Sequence, residues 1–315
     1  MNAPAVTVVI PVYNGTNYLR EAVESVFAQT FGDHELVVVD DGSTDATWAL
    51  IQSYGERLRG FRKPNGGVAS ALNLGISQAR GRWIAWLSHD DLFLPDKLEK
   101  QVALLRRSPE FKACYTDYFV GDAEGRTLRG IETPWYPRAR AMRALFGRSY
   151  IGGSTMLIER ACFDVVGRFS EKWRYTQDTE MWLRVLRRFE IGRVPEKLVI
   201  ERSHPAQGSH SAEIMRAETQ AMYAEFFDDA GPTGLFPERD ASANDPRALA
   251  QALTWFGDTM AVHRRWFTFA DEQYRRSVKL WSSWRNEARW RLAVGARRLF
   301  FFLRVYYTTL VRFRA

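Results

Sequence analysis

Two cysteines, Cys114 and Cys162, are all that 315 residues offer. With no companions at metal-ligand spacing they build neither a disulfide framework nor a zinc site. Both are expected to be free thiols in a reducing compartment. Glycine-rich phosphate loops are also missing. Neither G-x-G-x-x-G nor G-x-x-x-x-G-K-[ST] occurs, which excludes the cradles of dinucleotide-binding and P-loop proteins. No apolar run approaches the roughly 20 residues that cross a bilayer. The N-terminus, Met1–Ala5, lacks the basic-then-apolar pattern of a signal peptide. A cytoplasmic chain is expected.

The sequence is 46% hydrophobic and 26% charged, ordinary for a globular protein. Its length suits one large α/β domain with an appendage, or two domains. The net charge of +7 is unevenly placed: from Arg275 onward eleven Lys/Arg face a single acidic residue, Glu287, so the preceding residues are net acidic. Basicity belongs to a tail and not to the body. That argues against a nucleic-acid partner.

The first half alternates strand and helix. The β-branched run Val6–Ile10 is followed by a helical stripe through Leu19, Ala22, Val23, Val26 and Phe27. Strands are expected at Glu35–Val39 and Trp83–Leu87, with helices to about Leu58, over Val68–Ala79 and over Leu94–Arg107. This spacing implies right-handed crossovers and a mostly parallel sheet. Regularity then fades, with strands at Ala113–Val120, Ser154–Ile158 and Leu198–Ile200 and helices at Met142–Arg148 and Asp178–Arg188. A Gly-, Pro- and Asp-rich stretch, Asp229–Asp245, divides an α/β domain (1–228) from a helical, basic and aromatic region (229–315).

Three strand ends carry polar clusters: Pro11–Asn14, Asp40–Asp45 and Ser88–Asp91. In a parallel sheet these ends lie along one edge, where ligands of open α/β sheets collect. Tyr13 offers a ring to stack on a base, and Asp41 an acceptor for a base N–H. The adjacent carboxylates Asp90 and Asp91 suit a hard divalent cation on a diphosphate. The plainer reading of Asp90 and Asp91 is a turn before Pro95, and of Asp40 a turn or cap.

The segments Val8–Asn14, Val39–Asp45, Asn65–Gly81, Leu87–Asp91, Asp178–Arg184 and His204–Ser209, in this order, resemble family 2 glycosyltransferases of GT-A fold. The resemblance covers about residues 6–210. It implies an α/β GT-A fold with a mostly parallel central sheet flanked by helices, here with a helical C-terminal extension. It also implies an inverting enzyme using a nucleotide-diphospho-sugar, UDP being the expected nucleotide, and a divalent metal, Mn or Mg. Carried over to this chain, Pro11, Tyr13, Asn14, Asp41, Asn73 and Asp90 would bind nucleotide. Asp91, Asp90 and His204 would hold metal, and Asp178 would be the general base. Ser88 stands where the family often has the first aspartate of its metal motif, which puts strict metal dependence in question. The competing readings are a helix N-cap for Asp178, with Glu180 as rival base, and a plain loop histidine for His204; Trp182 is expected in the core.

The implied acceptor is a hydroxyl of a saccharide or lipid-linked saccharide in cell-envelope polysaccharide synthesis. A polyprenyl phosphate acceptor and a non-catalytic nucleotide-sugar-binding subunit are the alternatives. In the tail, Trp281, Trp284, Trp290, Phe300–Phe302, Tyr306 and Tyr307 are interleaved with arginines. The stretch Leu299–Val311 is too short and too charged to span a bilayer, and fits a helix lying on an anionic membrane surface. A helical cap on the catalytic part and an RNA-binding tail are the other readings.

Overall fold

Strand β1 (Val6–Val12) is buried at every position. A VTVVIPV run suits this place because a strand covered on both faces needs no polar side. β2 (His34–Asp40) and β4 (Trp83–Trp86) flank it in parallel, and β3 (Arg59–Arg62) adds a parallel strand outside β2. The remaining strands are β5 (Leu92–Phe93), β6 (Phe111–Gly121), β7 (Thr127–Ile131), β8 (Leu157–Glu159) and β9 (Glu190–Arg202). The sheet runs β3-β2-β1-β4-β8-β6-β9-β5, with β7 paired to β6. A four-stranded parallel block thus continues into a mixed half, where β8 is antiparallel to both neighbours and β6 and β9 are parallel.

The computed structural model describes residues 3–205, 207, 212–236, 245–262 and 267–280, and the chain divides into two units. The first comprises Met1–Met142 and Ser149–Met222, the second Arg143–Arg148 and Tyr223–Ala315. In the first unit, α1 (Leu19–Phe27) and α4 (Lys97–Arg107) cover one face of the sheet. Their Leu19, Val23, Val26, Leu98, Val102 and Leu105 pack with Val8, Ile10 and Val12 of β1 and Leu36 and Val38 of β2. The intervening residues Val37 and Val39 face the other way, onto Ala71 of α3 (Gly67–Gln78). This period of two is why both faces of β2 read as apolar. Each such side chain contributes about 1.5–3 kcal/mol on burial. The other helices are α2 (Thr47–Gln52), α5 (Arg138–Gly147), α6 (Cys162–Val166) and α7 (Gln177–Leu186), then α8 (Ala212–Leu235), α9 (Pro246–Val262) and α10 (Phe267–Leu280).

The second unit has an aromatic core. Phe227 and Phe256 stack with centroids 4.5 Å apart, and Phe146 lies 4.9 Å from Tyr223. The Tyr274 hydroxyl donates to Asp258 at 2.6 Å.

Strands β3, β5 and β7 and helix α6 are not anticipated by the sequence pattern. β3 reads Arg-Gly-Phe-Arg and β7 Thr-Leu-Arg-Gly-Ile, half or wholly exposed and without an apolar run. β9 is much longer than Leu198–Ile200. Its pairing with β6 jumps from Val194 to Lys197, so Pro195 falls in a bulge where no ladder bond is needed. Ser154 lies in a short 3₁₀ turn ahead of β8 and not in the strand.

Candidate active site

The ends of β1 and β2 are stitched together by side chains. Asn14 adopts a left-handed backbone (φ 50°) that asparagine tolerates. Its N–H donates to Ser43 Oγ, and its Oδ1 accepts from the Thr44 N–H at 2.8 Å. Pro11 lies just past Val9, the last residue of β1 paired with β4. Tyr13 follows with 47% of its surface exposed. Asp40 closes its own turn by accepting from the Ser43 N–H, and pairs with Arg62 at 3.1 Å.

Asp41 is 3% exposed. It accepts from Lys63 Nζ at 2.8 Å, the Gly66 N–H at 3.0 Å and the Gly67 N–H at 2.7 Å. It therefore satisfies orphan donors at the start of α3 from outside the helix. A carboxylate has about four acceptor sites, so one remains after these three donors. Gly42 fits here because its φ is +79° and a Cβ would meet Asn65 N at 2.8 Å.

Beyond β4 the two aspartates diverge. Asp90 Oδ2 lies 3.0 Å from His204 Nε2, whose ring packs 4.7 Å from that of Tyr18. Asp91, expected beside Asp90 as a metal ligand, is instead engaged by protein on both oxygens. Ser154 Oγ donates to it at 2.6 Å and the Arg202 N–H at 3.0 Å. Burial, then Asp90 and Glu201, hold its carboxyl well above the usual range. Ser154 also accepts from the Ser88 N–H at 3.1 Å. The Arg202 side chain is 0% exposed; it donates to the Asp90 carbonyl at 3.1 Å and pairs with Glu21 of α1. This buried cation lies beneath the acidic turn.

Asp178 joins the same cluster. It sits in the first turn of α7, and the N-cap is Thr176. That cap is held from a distance: Glu218 accepts from the Arg174, Tyr175 and Thr176 N–H groups at 2.7–3.0 Å. Asp178 accepts from its neighbour's Thr179 N–H at 2.6 Å, and burial pushes it up to about 6. Glu180 forms a two-pronged pair with Arg184, which also donates to the carbonyls of Val166 and Arg168. Its carboxylate anchors a loop. Trp182 is buried at 1% exposure.

Glu201, absent from the sequence reading, completes the group. Burial, then the charges of Asp178 and Asp90, push it up to about 7. Asp178 and Asp90 therefore both lie near one carboxylate, though they are far apart in sequence. No local motif signals Glu201, Ser154, Arg202, Lys63 or Glu218, because each acts across a long sequence separation. Asn73 is brought to a different place: its amide bridges the backbone of Phe169 in both directions at 2.9 Å, pinning the loop ahead of α7.

For a divalent metal, Asp90 and His204 would supply one oxygen and one nitrogen, a donor pair compatible with Mn²⁺ or Mg²⁺ were a diphosphate and water to complete the shell. Among the described residues no group of three or more His, Cys, Asp or Glu is arranged as a metal site, and no helix is long and apolar enough to cross a membrane. Most of the basic, aromatic tail expected on a membrane surface lies outside the described residues.

The sequence matches glycosyl transferase family 2 over residues 7–167. An uncharacterized glycosyltransferase of Rickettsia typhi is 37% identical over 228 residues, 71% of this chain and 72% of that protein. The structure of S. aureus TarS in complex with UDP-GlcNAc superposes with a TM-score of 0.57 at 19% identity, covering 94% of this chain and 92% of that one. The mannosyltransferase PcManGT of Pyrobaculum calidifontis, in complex with GDP-Man and Mn²⁺, gives 0.53 at 20% identity, covering 98% and 84%. At these identities the two structures speak to the fold alone.

Proposed function

The chain belongs to glycosyl transferase family 2 and is a glycosyltransferase of GT-A architecture; from that premise we propose that it inverts the configuration of a sugar as it moves it from a nucleotide diphosphate to a hydroxyl. The donor is read as UDP-linked, the acceptor as a saccharide or lipid-linked saccharide of cell-envelope polysaccharide. One observation supports this reading: Asp178, in the first turn of α7, and Asp90, paired with His204 beyond β4, both act on Glu201. A proton acceptor and a diphosphate-side carboxylate are thus both close enough to act on one group.

An acceptor hydroxyl is a poor nucleophile at neutral pH. Asp178, more basic than an ordinary carboxylate yet still ionised above about pH 6, takes its proton as the bond to the anomeric carbon forms. Such a group typically contributes about 10²–10⁴-fold. Holding donor and acceptor in line adds the proximity effect. Tyr13 stacks on the base, Pro11 and Asn14 shape its rim, and Asp41 fixes the 63–67 loop while offering its remaining acceptor site. Asp90 and His204 would hold Mn²⁺ or Mg²⁺, which neutralises charge on the departing diphosphate. Asp91 positions the turn that carries Asp90. A phosphate acceptor is already ionised and would make no use of the raised Asp178.

A thermal-shift screen of UDP-, dTDP- and GDP-sugars with and without Mn²⁺ tests the donor. Ligand at a hundred times its Kd stabilises by about 2.7 kcal/mol, so a cognate donor stands out and a flat panel rejects the reading. The tail is read as a peripheral contact with anionic lipid on the inner face of the cell membrane. Co-sedimentation of the full chain with anionic vesicles tests that, and equal partitioning after Arg297, Arg298, Arg304 and Arg312 are changed to Gln rejects it.

A further inference from the structure

We propose that the sheet carries a second site, at the end opposite Asn14, Asp41 and Ser88, which binds the phosphoryl group of a phosphate monoester. A cavity of about 430 Å³ opens there, within the size range of ligand pockets. Its wall includes Ala5 ahead of β1, Trp83 at the start of β4, and four arginines, Arg80, Arg82, Arg106 and Arg160. Trp83 pairs with Glu159 at the end of antiparallel β8, so all these groups share one edge. β1 runs seven residues from Val6 to Val12, which sets this edge about 20 Å from the other. A ligand here is separate from the nucleotide.

The arginines come from three places in the chain and are held. Arg80 and Arg82 lie in the link between α3 and β4, Arg106 in the last turn of α4, and Arg160 directly after β8. The guanidinium carbons of Arg82 and Arg106 lie 4.8 and 5.7 Å from the ring centroid of one indole, Trp83, itself 3% exposed. The Arg160 N–H donates to the Arg82 carbonyl at 2.8 Å, and its Nε–H to the Gly81 carbonyl at 3.0 Å. Guanidinium groups fixed in this way lose little freedom on gripping an anion.

Charge selects the ligand. Asp33 and Glu159 are the carboxylates of the lining, which leaves it a net charge of +2. Glu159 is already taken by Arg82 at 3.0 Å and Lys112 at 3.6 Å. Among the described residues, the side chains of Arg80 and Arg106 have no carboxylate partner. Like charges drawn around one concavity repel, and a doubly negative phosphoryl group offsets them. Its three outer oxygens suit guanidinium forks arriving from three elements better than the two of a planar carboxylate do. The remaining volume takes the organic part of the ester. A soluble ester and a lipid headgroup share this chemistry.

The test is isothermal titration of the full-length chain with glycerol 3-phosphate, in EDTA so that no metal bridges the ligand elsewhere. Wild type is expected to bind saturably. Arg80→Gln and Arg106→Gln together remove the two guanidinium groups without a carboxylate partner, and should weaken binding by about tenfold or more. Both are exposed, so the unliganded variant should melt within about 2 °C of wild type. If it does not fold, Arg160→Gln carries the same comparison. Flotation with phosphatidylcholine vesicles, with and without phosphatidic acid, separates the two sources. A fall in the variant's bound fraction that needs phosphatidic acid assigns the site to a lipid headgroup, and an unchanged fraction beside a weakened titration assigns it to a soluble ester. Saturable binding to neither form, or binding that the substitutions leave unchanged in both, overturns the proposal and leaves glycosyl transfer untouched.

Discussion

Replacing Asp178 by Asn should stabilise the protein while disabling it. The folded chain holds the Asp178 proton more tightly than the unfolded chain does, with the pKa raised from 3.8 to about 6 by burial. Folding is therefore opposed wherever the group must be ionised. The cost is absent below pH 3.8, grows between there and about pH 6, and is constant above. A shift of that size corresponds to about 3 kcal/mol. Asn removes the charge and retains an oxygen for the Thr179 N–H. It also relieves Glu201, which feels the Asp178 charge. For a chain of this length the gain is roughly 5 °C in Tm at pH 7.5, shrinking towards nothing at pH 4. Turnover onto a hydroxyl acceptor should meanwhile fall by about 10²–10⁴-fold, and wild-type kcat/KM should decline as pH drops through about 6. Scanning calorimetry at pH 7.5 and 4, with initial rates at both, decides the matter. A variant no more stable at pH 7.5, or one whose gain persists unchanged at pH 4, refutes the burial argument. Turnover within a few-fold of wild type refutes the base.

Lys97 gives a second test of burial, away from the site. Its ammonium is enclosed, 2.8 Å from Gln101 Oε1 and 3.9 Å from the Phe93 ring centroid, and burial pushes it down to about 7. Carrying the charge opposes folding below pH 7, and that cost fades as pH rises towards 10.5. Lys97→Met should therefore raise the denaturation midpoint at pH 6 and lose the advantage by pH 10; a lower midpoint at both would show that the Gln101 bond outweighs desolvation. Asp41→Asn should speed hydrogen exchange at the Gly66 and Gly67 amides and weaken UDP binding, at a cost of about 1–3 kcal/mol; unchanged exchange would show that Asp41 does not hold that turn. Asp90→Asn should raise the Mn²⁺ concentration for half-maximal activity by about tenfold or more, and an unshifted Mn²⁺ curve would take Asp90 out of the metal's shell.

The parallel block was legible because its strands and helices announce themselves by period: Val6–Ile10 as an unbroken apolar run, Leu19–Phe27 as a helical stripe. Their junctions were legible too, since a parallel order forces Asn14, Asp41 and Ser88 to one edge of the sheet. What escaped was written in polar residues. Arg59–Arg62 and Thr127–Ile131 are strands by virtue of their neighbours, and nothing within four or five half-exposed residues distinguishes them from loop. Among the described residues, Pro195 and the charged flanks of Val194–Lys197 hid the length of β9, which a bulge makes compatible with pairing.

The site divides along the same line. Asp90, Asp178 and His204 stand in local contexts that resemble a family, so each could be named before its neighbours were known. The residues that decide what those groups can do could not. Ser154 turns Asp91 inward, Arg202 offsets the acidic turn from below, and Glu218 sets the helix start that presents Asp178. Every one of these bonds joins residues more than forty positions apart. Their effect is to give four neighbouring carboxyl groups unequal roles, because like charges this close cannot all be left unscreened in a half-buried site. Asp91 is held by a hydroxyl and an amide, Asp90 by a histidine, and Asp178 by the amide and hydroxyl of Thr179 alone, while burial keeps it basic. Glu201 is left with no protein donor. The same environment that raises Asp178 into the range of a general base raises Glu201 beside it as well.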